Sequence, residues 1–339
     1  MQAWRFVGGR GTPEPVDVDA AIAGLGDAAG VVWIDLPGPS IEVLRRLDDA
    51  VGLGEFLLED LVEGASDAGL RTKLQQHGRL FHVAVRDCTA VDGGRLAERE
   101  IDLVFGDGWL LSVRHPPERL TEDPDPFPVA EVRRRLTAQC AHERQIDEGF
   151  VAWAFLDVVT DRYLAITDAI DERLDEAEQH LLADDETSRL SPAQSPREMF
   201  ETGRMLTDFR HQVIPLREVI GAVLRRDVST FGDAALLHFR DVYDHLLGIA
   251  ELLETQRDVL AGLRDVHLTV VSNRMNRSMQ QLAAWGAMLI VATLVTGVLG
   301  MNFRDAPNVS WRVGFLAVTG VVLVLTAPMY LFFKKKEWL

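Results

Sequence analysis

The sequence predicts an α+β membrane protein in which a soluble α/β domain precedes a very long helix and two membrane-spanning helices. Two runs near the carboxyl end, residues 278–303 and 313–333, contain no charged residue, and each is long enough to cross the hydrocarbon core as a helix. Apolar residues recur at helical spacing over residues 236–299 with no proline among them, which predicts one continuous helix of about sixty-five residues, or roughly 100 Å. Earlier in the chain, short β-rich runs alternate with helical segments.

The amino-terminal region is predicted to be a cytosolic α/β domain over residues 1–128. Its four β-rich runs are residues 31–36, 80–85, 100–105 and 109–113. A helix is predicted over Ile41–Val51 with Ser40 as its N-cap. The segment 116–128 is rich in proline and cannot continue either kind of element, so the domain edge is placed there.

Four further segments complete the predicted organisation. A helical region covers residues 129–232, and a stalk helix that continues into the first transmembrane helix covers residues 233–300. An external loop of residues 301–312, a second transmembrane helix of residues 313–333 and a basic tail of residues 334–339 follow. A soluble helix that breaks near Asn273 is the alternative to a continuous stalk.

The charge distribution predicts the orientation of the chain in the membrane. The formal net charge is −17, and six basic and two acidic residues follow Asn276, which leaves −21 for residues 1–275. Such an acidic body repels nucleic acid and attracts cations, although acidic surfaces also serve solubility alone. Basic residues precede the first span and follow the second, and positively charged flanks favour the cytoplasmic side. The first twenty residues lack the apolar core of a secretory signal. Both termini are therefore expected in the cytoplasm. The two cysteines, Cys88 and Cys140, fit a reducing compartment and are expected to be buried thiols.

One face of the first span has the pattern of a pore lining. Steps of three or four residues back from Gly300 place on it polar, small and apolar side chains in alternation: Asn276, Met279, Leu282 or Ala283, Gly286, Ile290, Thr293 and Gly297. Apolar rings at Met279 and Leu282 could gate by excluding water, and Thr293 and Asn276 offer oxygens to an ion. Because two helices enclose no interior, a conduit requires several copies around an axis. Ordinary helix packing through small residues explains the same spacing.

A Gly-Met-Asn triplet, Gly300, Met301 and Asn302, lies at the end of this span. An amide side chain and backbone carbonyls at the mouth of a helical hairpin are suitable ligands for a hydrated cation. Mg²⁺ loses its water reluctantly, so such a ring can select the ion through its water shell. Gly300 also permits a turn that a side chain would hinder.

Several segments together resemble the CorA family of divalent-cation transporters. They are TGVLGMNFRDAPNVSWRVGF, the closing FFKKKEWL, the stalk sequence that begins FRDVYDH, WIDLPG near Trp33, LLEDLVEG around Asp60 and PLREVI at Pro215. The resemblance implies a funnel-shaped homopentamer in the inner or plasma membrane that admits Mg²⁺, Co²⁺ and Ni²⁺ and contains no organic cofactor. It also implies that Gly300, Met301 and Asn302 form the outer entrance, and that Asn276, Met279, Leu282 and Thr293 lie along the pore, with Ile290 in place of a methionine.

The resemblance further implies a cytosolic Mg²⁺-sensing pair, Asp60 and Asp241, between neighbouring subunits. Two carboxylates repel one another unless a cation lies between them, so bound Mg²⁺ would hold the subunits in a closed state. His238 and His245 share the stalk with Asp241, and their imidazoles suit Zn²⁺, Co²⁺ or Ni²⁺ better than Mg²⁺. Histidines at such positions are more often structural.

Three other functions remain open at this stage. A Zn²⁺ transporter coupled to protons, as in the related ZntB branch, is the first, although the intact triplet favours the Mg²⁺ and Co²⁺ branch. A membrane-anchored enzyme is the second, but the chain contains no HExxH, GxSxG, P-loop or GxGxxG motif after a strand. A non-conducting scaffold of the same architecture is the third.

Overall fold

The computed structural model describes residues 1–8, 13–25, 30–64, 72–91, 95–117, 126–143, 146–183, 194–300, 311–336 and 338. The chain forms two units, Met1–Leu263 and Arg264–Leu339. The first unit contains all the described strands and the second contains the two apolar helical segments.

The first unit is built on a seven-stranded mixed sheet. Its strands are β1 (Gln2–Phe6), β2 (Glu14–Val16), β3 (Val31–Leu36), β4 (Lys73–His77), β5 (Leu80–Val91), β6 (Arg95–Gly106) and β7 (Trp109–Arg114). Their order across the sheet is β2-β1-β3-β7-β6-β5-β4. Only the β3–β7 pair is parallel among the pairings described, because β4 to β7 form a meander that returns to β3.

Three short helices cover one face of this sheet. They are α1 (Val18–Ala23), α2 (Ile41–Val51) and α3 (Glu55–Glu63). Leucines of α2 and α3, such as Leu47 and Leu61, pack against Ile34 and Leu111 of the central strands. Ser40 occupies the N-cap position of α2 as expected, but its side chain makes no capping hydrogen bond.

Longer helices cover the opposite face. They are α4 (Val129–His142), α5 (Glu148–Ala183), α6 (Gln194–Leu224) and the first part of α7 (Asp233–Leu299). At the centre of this layer Trp33 is fully buried against Phe155 and donates a hydrogen bond from Nε1 to Ser112 Oγ at 2.9 Å. Burial of an aromatic side chain contributes about 1.5–3 kcal/mol, so this cluster fixes the helices on the sheet. Cys88 and Cys140 are free and buried, as expected.

Two adjacent carboxylates anchor the start of α7. Asp147 accepts a hydrogen bond from the Gly232 N–H at 2.8 Å, and Glu148 accepts one from the Gly108 N–H at 3.1 Å. Gly232 immediately precedes α7 and Gly108 lies in the β6–β7 turn. The amino end of α5 therefore connects the sheet to the root of α7.

Helix α7 is continuous for 67 residues and passes through Asn273 without a break, so the alternative of a soluble helix that ends there is wrong. Its side chains are buried at helical spacing up to Leu263, but no residue from Arg264 to Ala283 is buried by this chain. Helix α8 (Trp311–Lys335) is the last helix of the described residues. The apolar end of α7 and Val313–Lys335 are the two helices long and apolar enough to cross a membrane within the described residues. The predicted fold class is thus confirmed.

Candidate functional site

The predicted pore face of α7 is left uncovered by its own chain. Met279, Leu282 and Ile290 are 54%, 75% and 69% exposed, whereas Ala284 and Met288 on the opposite face are 0% and 8% exposed. Asn276, Thr293 and Gly297 are also exposed, and Gly286 is half-buried. The side chains that the sequence assigned to the pore therefore lie on the part of the helix that its own chain leaves largely uncovered, which also includes Trp285, Leu289 and Leu294.

The hydroxyl of Thr293 is oriented by its own helix. Its Oγ1 donates to the Leu289 carbonyl at 2.8 Å. Because the hydroxyl hydrogen is used in this bond, the lone pairs of the oxygen remain available on the uncovered face. Thr293 can therefore act as an acceptor toward a cation or its water shell.

Gly300 closes the first span. Its N–H donates to the Thr296 carbonyl at 2.9 Å, and it follows directly on the last helical residue, Leu299. Met301 and Asn302 lie outside the described residues, so the predicted role of the triplet at the entrance stays a prediction.

A group of three potential metal ligands lies where α5 meets α7. The ligand atoms of Asp157, Asp241 and His245 all lie within 4.8 Å of one another. Asp241 and His245 are exposed and Asp157 is half-buried. Asp241 and His245 were predicted from the sequence, but Asp157 was not. Asp157 is one of many carboxylates along α5, and only the packing of α5 against α7 distinguishes it.

Arg135 of α4 partly neutralises this acidic group. Its guanidinium contacts the carboxylates of Asp157 and Asp161, and its Nε donates to Glu131 at 3.0 Å. Burial raises the pKa of Asp157, Arg135 lowers it, and the Asp161 and Asp241 carboxylates raise it further. The repulsion among these carboxylates is the kind that a bound cation relieves.

The other two predicted metal-binding residues have different surroundings. Asp60, on α3, forms an ion pair with Lys73 at 2.8 Å and is not part of the group around Asp241. His238 packs against the rings of Trp153 and Phe150, with centroid distances of 4.6 and 5.6 Å. Within the described part of one chain, Asp60 and His238 thus do not join Asp241 and His245.

The carboxyl end of α3, one turn beyond Asp60, requires glycine. Gly64 has φ 59° and ψ −171°, and a methyl group at its Cα would lie 2.8 Å from Nδ1 of His115. Both the left-handed backbone and the close approach exclude a side chain. We therefore expect Gly64→Ala to lower the free energy of unfolding by about 2–3 kcal/mol, measured by thermal or denaturant unfolding. Gly52→Ala is the matched comparison, because Gly52 has φ 72° but open space around it, and an equal loss in both variants would contradict the steric argument.

The fold and these sites define an integral membrane protein with a large extramembrane α/β domain, two spans and an uncovered polar and apolar face on the first span. A family model described as "CorA-like Mg2+ transporter protein" matches residues 28–335. The chain therefore belongs to this family and is a divalent-cation transporter of the CorA type.

Curated relatives and solved structures agree with this assignment. The cobalt/magnesium transport protein CorA of Thermotoga maritima is 27% identical over 315 residues, which cover 92% of this chain and 85% of that protein. The putative metal ion transporter YfjQ of Bacillus subtilis is 28% identical, with coverages of 90% and 89%. The complete structure of the CorA magnesium transporter from Methanocaldococcus jannaschii shares the fold with a TM-score of 0.76 at 19% identity, covering 100% of this chain and 99% of that one.

Proposed function

We propose that this chain conducts Mg²⁺, and also Co²⁺ and Ni²⁺, into the cytosol through a pore formed by five copies, and that cytosolic Mg²⁺ closes the pore. The observation that carries the proposal is the uncovered face of α7, on which polar, small and apolar side chains alternate between Asn276 and Gly297. Such a face needs partners, and identical faces around an axis supply them. The name of the Thermotoga maritima relative includes cobalt and magnesium.

The proposed pore would select the ion at its outer end, and its gate would lie nearer the cytosol. Asn302 amides and Gly300 carbonyls would receive the ion with its water shell, which suits the reluctance of Mg²⁺ to dehydrate. Thr293 would contact that shell next, through lone pairs that its bond to Leu289 leaves available. Rings of Met279 and Leu282 would then block passage when they approach one another closely enough to exclude water.

Regulation would use carboxylates on α3 and α7. Asp60 would face Asp241 of the partner subunit, and bound Mg²⁺ would replace Lys73 as the counter-charge of Asp60. Asp157, which adjoins Asp241, adds a further carboxylate at this position. Loss of Mg²⁺ would leave these carboxylates in mutual repulsion and loosen the subunits, so that the pore opens.

Zn²⁺ transport coupled to protons is the second candidate, because His245 lies within the acidic group. An imidazole beside two carboxylates binds Zn²⁺, Co²⁺ or Ni²⁺ in preference to Mg²⁺. His245 lies, however, outside the uncharged apolar segments 278–303 and 313–333, so this observation bears on the regulatory ion before the transported one.

The proposal is tested by reconstituting the full chain in liposomes that contain a Mg²⁺-sensitive dye. Mg²⁺ entry driven by its gradient and by an inside-negative potential is expected, with competition by Co²⁺. Zn²⁺ entry that requires a proton gradient, without Mg²⁺ entry, would support the second candidate. No flux of any of these ions would refute both and leave the scaffold and anchored-enzyme hypotheses.

Replacing Asp241 by lysine is expected to weaken inhibition by internal Mg²⁺. The new cation opposes the bound ion and can pair with Asp157, so the half-inhibitory Mg²⁺ concentration should rise by at least about tenfold, which corresponds to 1.4 kcal/mol. Flux at several internal Mg²⁺ concentrations measures this. Asp258→Lys makes the same charge change at an exposed aspartate of the same helix and should leave inhibition unaltered. A native response in Asp241→Lys would remove the sensing role.

A further inference from the structure

A buried His–Asp–His network lies on the sheet face that α3 covers. Asp102 of β6 is 1% exposed and accepts hydrogen bonds from His82 Nε2 at 2.8 Å and from His115 Nε2 at 2.9 Å. His82 lies on β5 and is fully buried, and His115 directly follows β7. The register places Asp102 on the same face as Val104, which packs with Leu57 and Leu61 of α3.

The Nδ1 atoms of the two histidines, which do not contact Asp102, have different surroundings. Nδ1 of His82 is buried and has no hydrogen-bond partner among the described residues, so protonation there would leave an unpaired buried N–H. His115 has a side chain that is 10% exposed, and its Nδ1 lies beside Gly64, at the carboxyl end of α3. A helix end of this kind has carbonyl groups without intrahelical partners and a partial negative charge. The geometry therefore directs the additional proton to His115.

We propose that His115, oriented by Asp102, is a proton-dependent clamp on the carboxyl end of α3. At lower pH its Nδ1–H adds a charged donor beside the last turn of the helix, and at higher pH that donor is lost. Asp60 is one turn before Gly64, and its own carbonyl accepts the Gly64 N–H at 3.0 Å. The clamp thus orders the segment that carries Asp60, and its significance for regulation rests on the proposed sensing role of that residue.

The charged groups around His115 agree with this direction. Burial lowers the pKa of His115, but Asp102 and Glu100 of β6 raise it more, so that the pKa lies above its usual value. The network also holds the pKa of Asp102 below its usual value, since the two histidines outweigh the effect of burial. On β4, burial and then His82 lower the pKa of His77, so His77 takes up its proton at lower pH than His115 does. On α3, Glu63 directly precedes Gly64, and Asp60 pairs with Lys73.

Hydrogen–deuterium exchange of the full-length protein in detergent tests the clamp. After correction for intrinsic rates, amides of residues 55–64 should exchange about fivefold more slowly at pH 6 than at pH 8, the size expected of a histidinium at a helix carboxyl end. The ratio should fall to about one in His115→Gln, which removes the titration. It should also fall to about one in Asp102→Asn, which removes the anion that favours the proton. His211→Gln, an exposed histidine of α6, should keep the native ratio.

The outcomes separate the clamp from the proposed sensor. A native ratio in His115→Gln, or in Asp102→Asn where the first variant does not fold, would overturn the clamp, as would a ratio lost only in His77→Gln. Mg²⁺ should slow exchange of the same segment in the native chain but not in Asp60→Asn. If Mg²⁺ still protects the segment in Asp60→Asn, the sensing role of Asp60 fails while the pH ratio continues to report on the clamp.

Discussion

Replacing Asn302 by alanine is expected to abolish Mg²⁺ entry into liposomes while the protein continues to fold and assemble. In a pentamer the substitution removes five amides from the outer entrance. Each hydrogen bond to the water shell of the ion contributes on the order of 1 kcal/mol, so the flux should fall by at least about 100-fold. Dye-reported Mg²⁺ entry, with the oligomer measured by light scattering, gives both quantities.

Asn308→Ala is the matched control, because it removes another amide from the same external loop. Its flux should remain within about twofold of native, since Asn308 is not part of the Gly-Met-Asn triplet. Equal flux in the native chain and in Asn302→Ala would show that the triplet does not select the ion. Equal loss in both variants would place selectivity in the loop as a whole.

Replacing Glu148 by glutamine is expected to stabilise the extramembrane unit above neutral pH. Burial raises the pKa of Glu148 from 4.5 to about 7, against hydrogen bonds from its own N–H and that of Gly108. The pKa of Glu148 is higher in the folded than in the unfolded chain. Its contribution to native stability is therefore greatest below pH 4.5 and falls as the pH rises to about 7. A shift of this size corresponds to a cost of about 3 kcal/mol for full ionisation. Glutamine keeps the acceptor for Gly108 but carries no charge.

Thermal unfolding of the native chain and of Glu148→Gln at pH 5 and pH 8 measures this effect. The stability of the variant relative to that of the native protein should be higher at pH 8 than at pH 5. Glu172→Gln changes an exposed glutamate of the same helix and should follow the native protein at both values. A Glu148→Gln curve that parallels the native one across this range would show that Glu148 is ionised without penalty.

Glu148 lies where the sheet meets the start of α7. Asp147 and Glu148 hold Gly232, before α7, and Gly108, in the β6–β7 turn. A methyl group at Gly232 would lie 2.6 Å from Asp147 Oδ2, so the contact is close. Ionisation of Glu148 therefore places its cost at the joint between the sheet and the root of the long helix.

The regular elements could be predicted from the sequence where a single periodicity prevails. The predicted strand at Val31–Leu36 and helix at Ile41–Val51 have the bounds that the structure gives them, because each is a short apolar or amphipathic run between turn residues. Strands β1, β2 and β4 escaped prediction: β2 has only three residues and includes Pro15, and β4 is mostly polar. The family, inferred from the triplet, the stalk and the basic tail, is confirmed by the family model.

Features that depend on packing between distant segments were not predicted. Asp157 joins Asp241 only through the contact of α5 with α7, and no spacing in the sequence encodes it. His82, Asp102 and His115 meet because three strands lie in one register, which a single sequence does not reveal. The residues of the predicted pore face could be chosen from the sequence because they lie on one helix. Their relative positions follow from the pitch of that helix alone.

The segment of α7 from Arg264 to Ala283, in which no residue is buried, would link the folding of this part of the helix to the proposed assembly of the subunits. Most of the stability of a helix in a protein comes from the packing of its apolar face, and no side chain of this segment is buried by its own chain. If neighbouring copies in the proposed pentamer supply this packing, dilution that separates the subunits should also unwind the segment. A separated subunit would then keep its folded α/β domain while this segment of α7 loses its helical order.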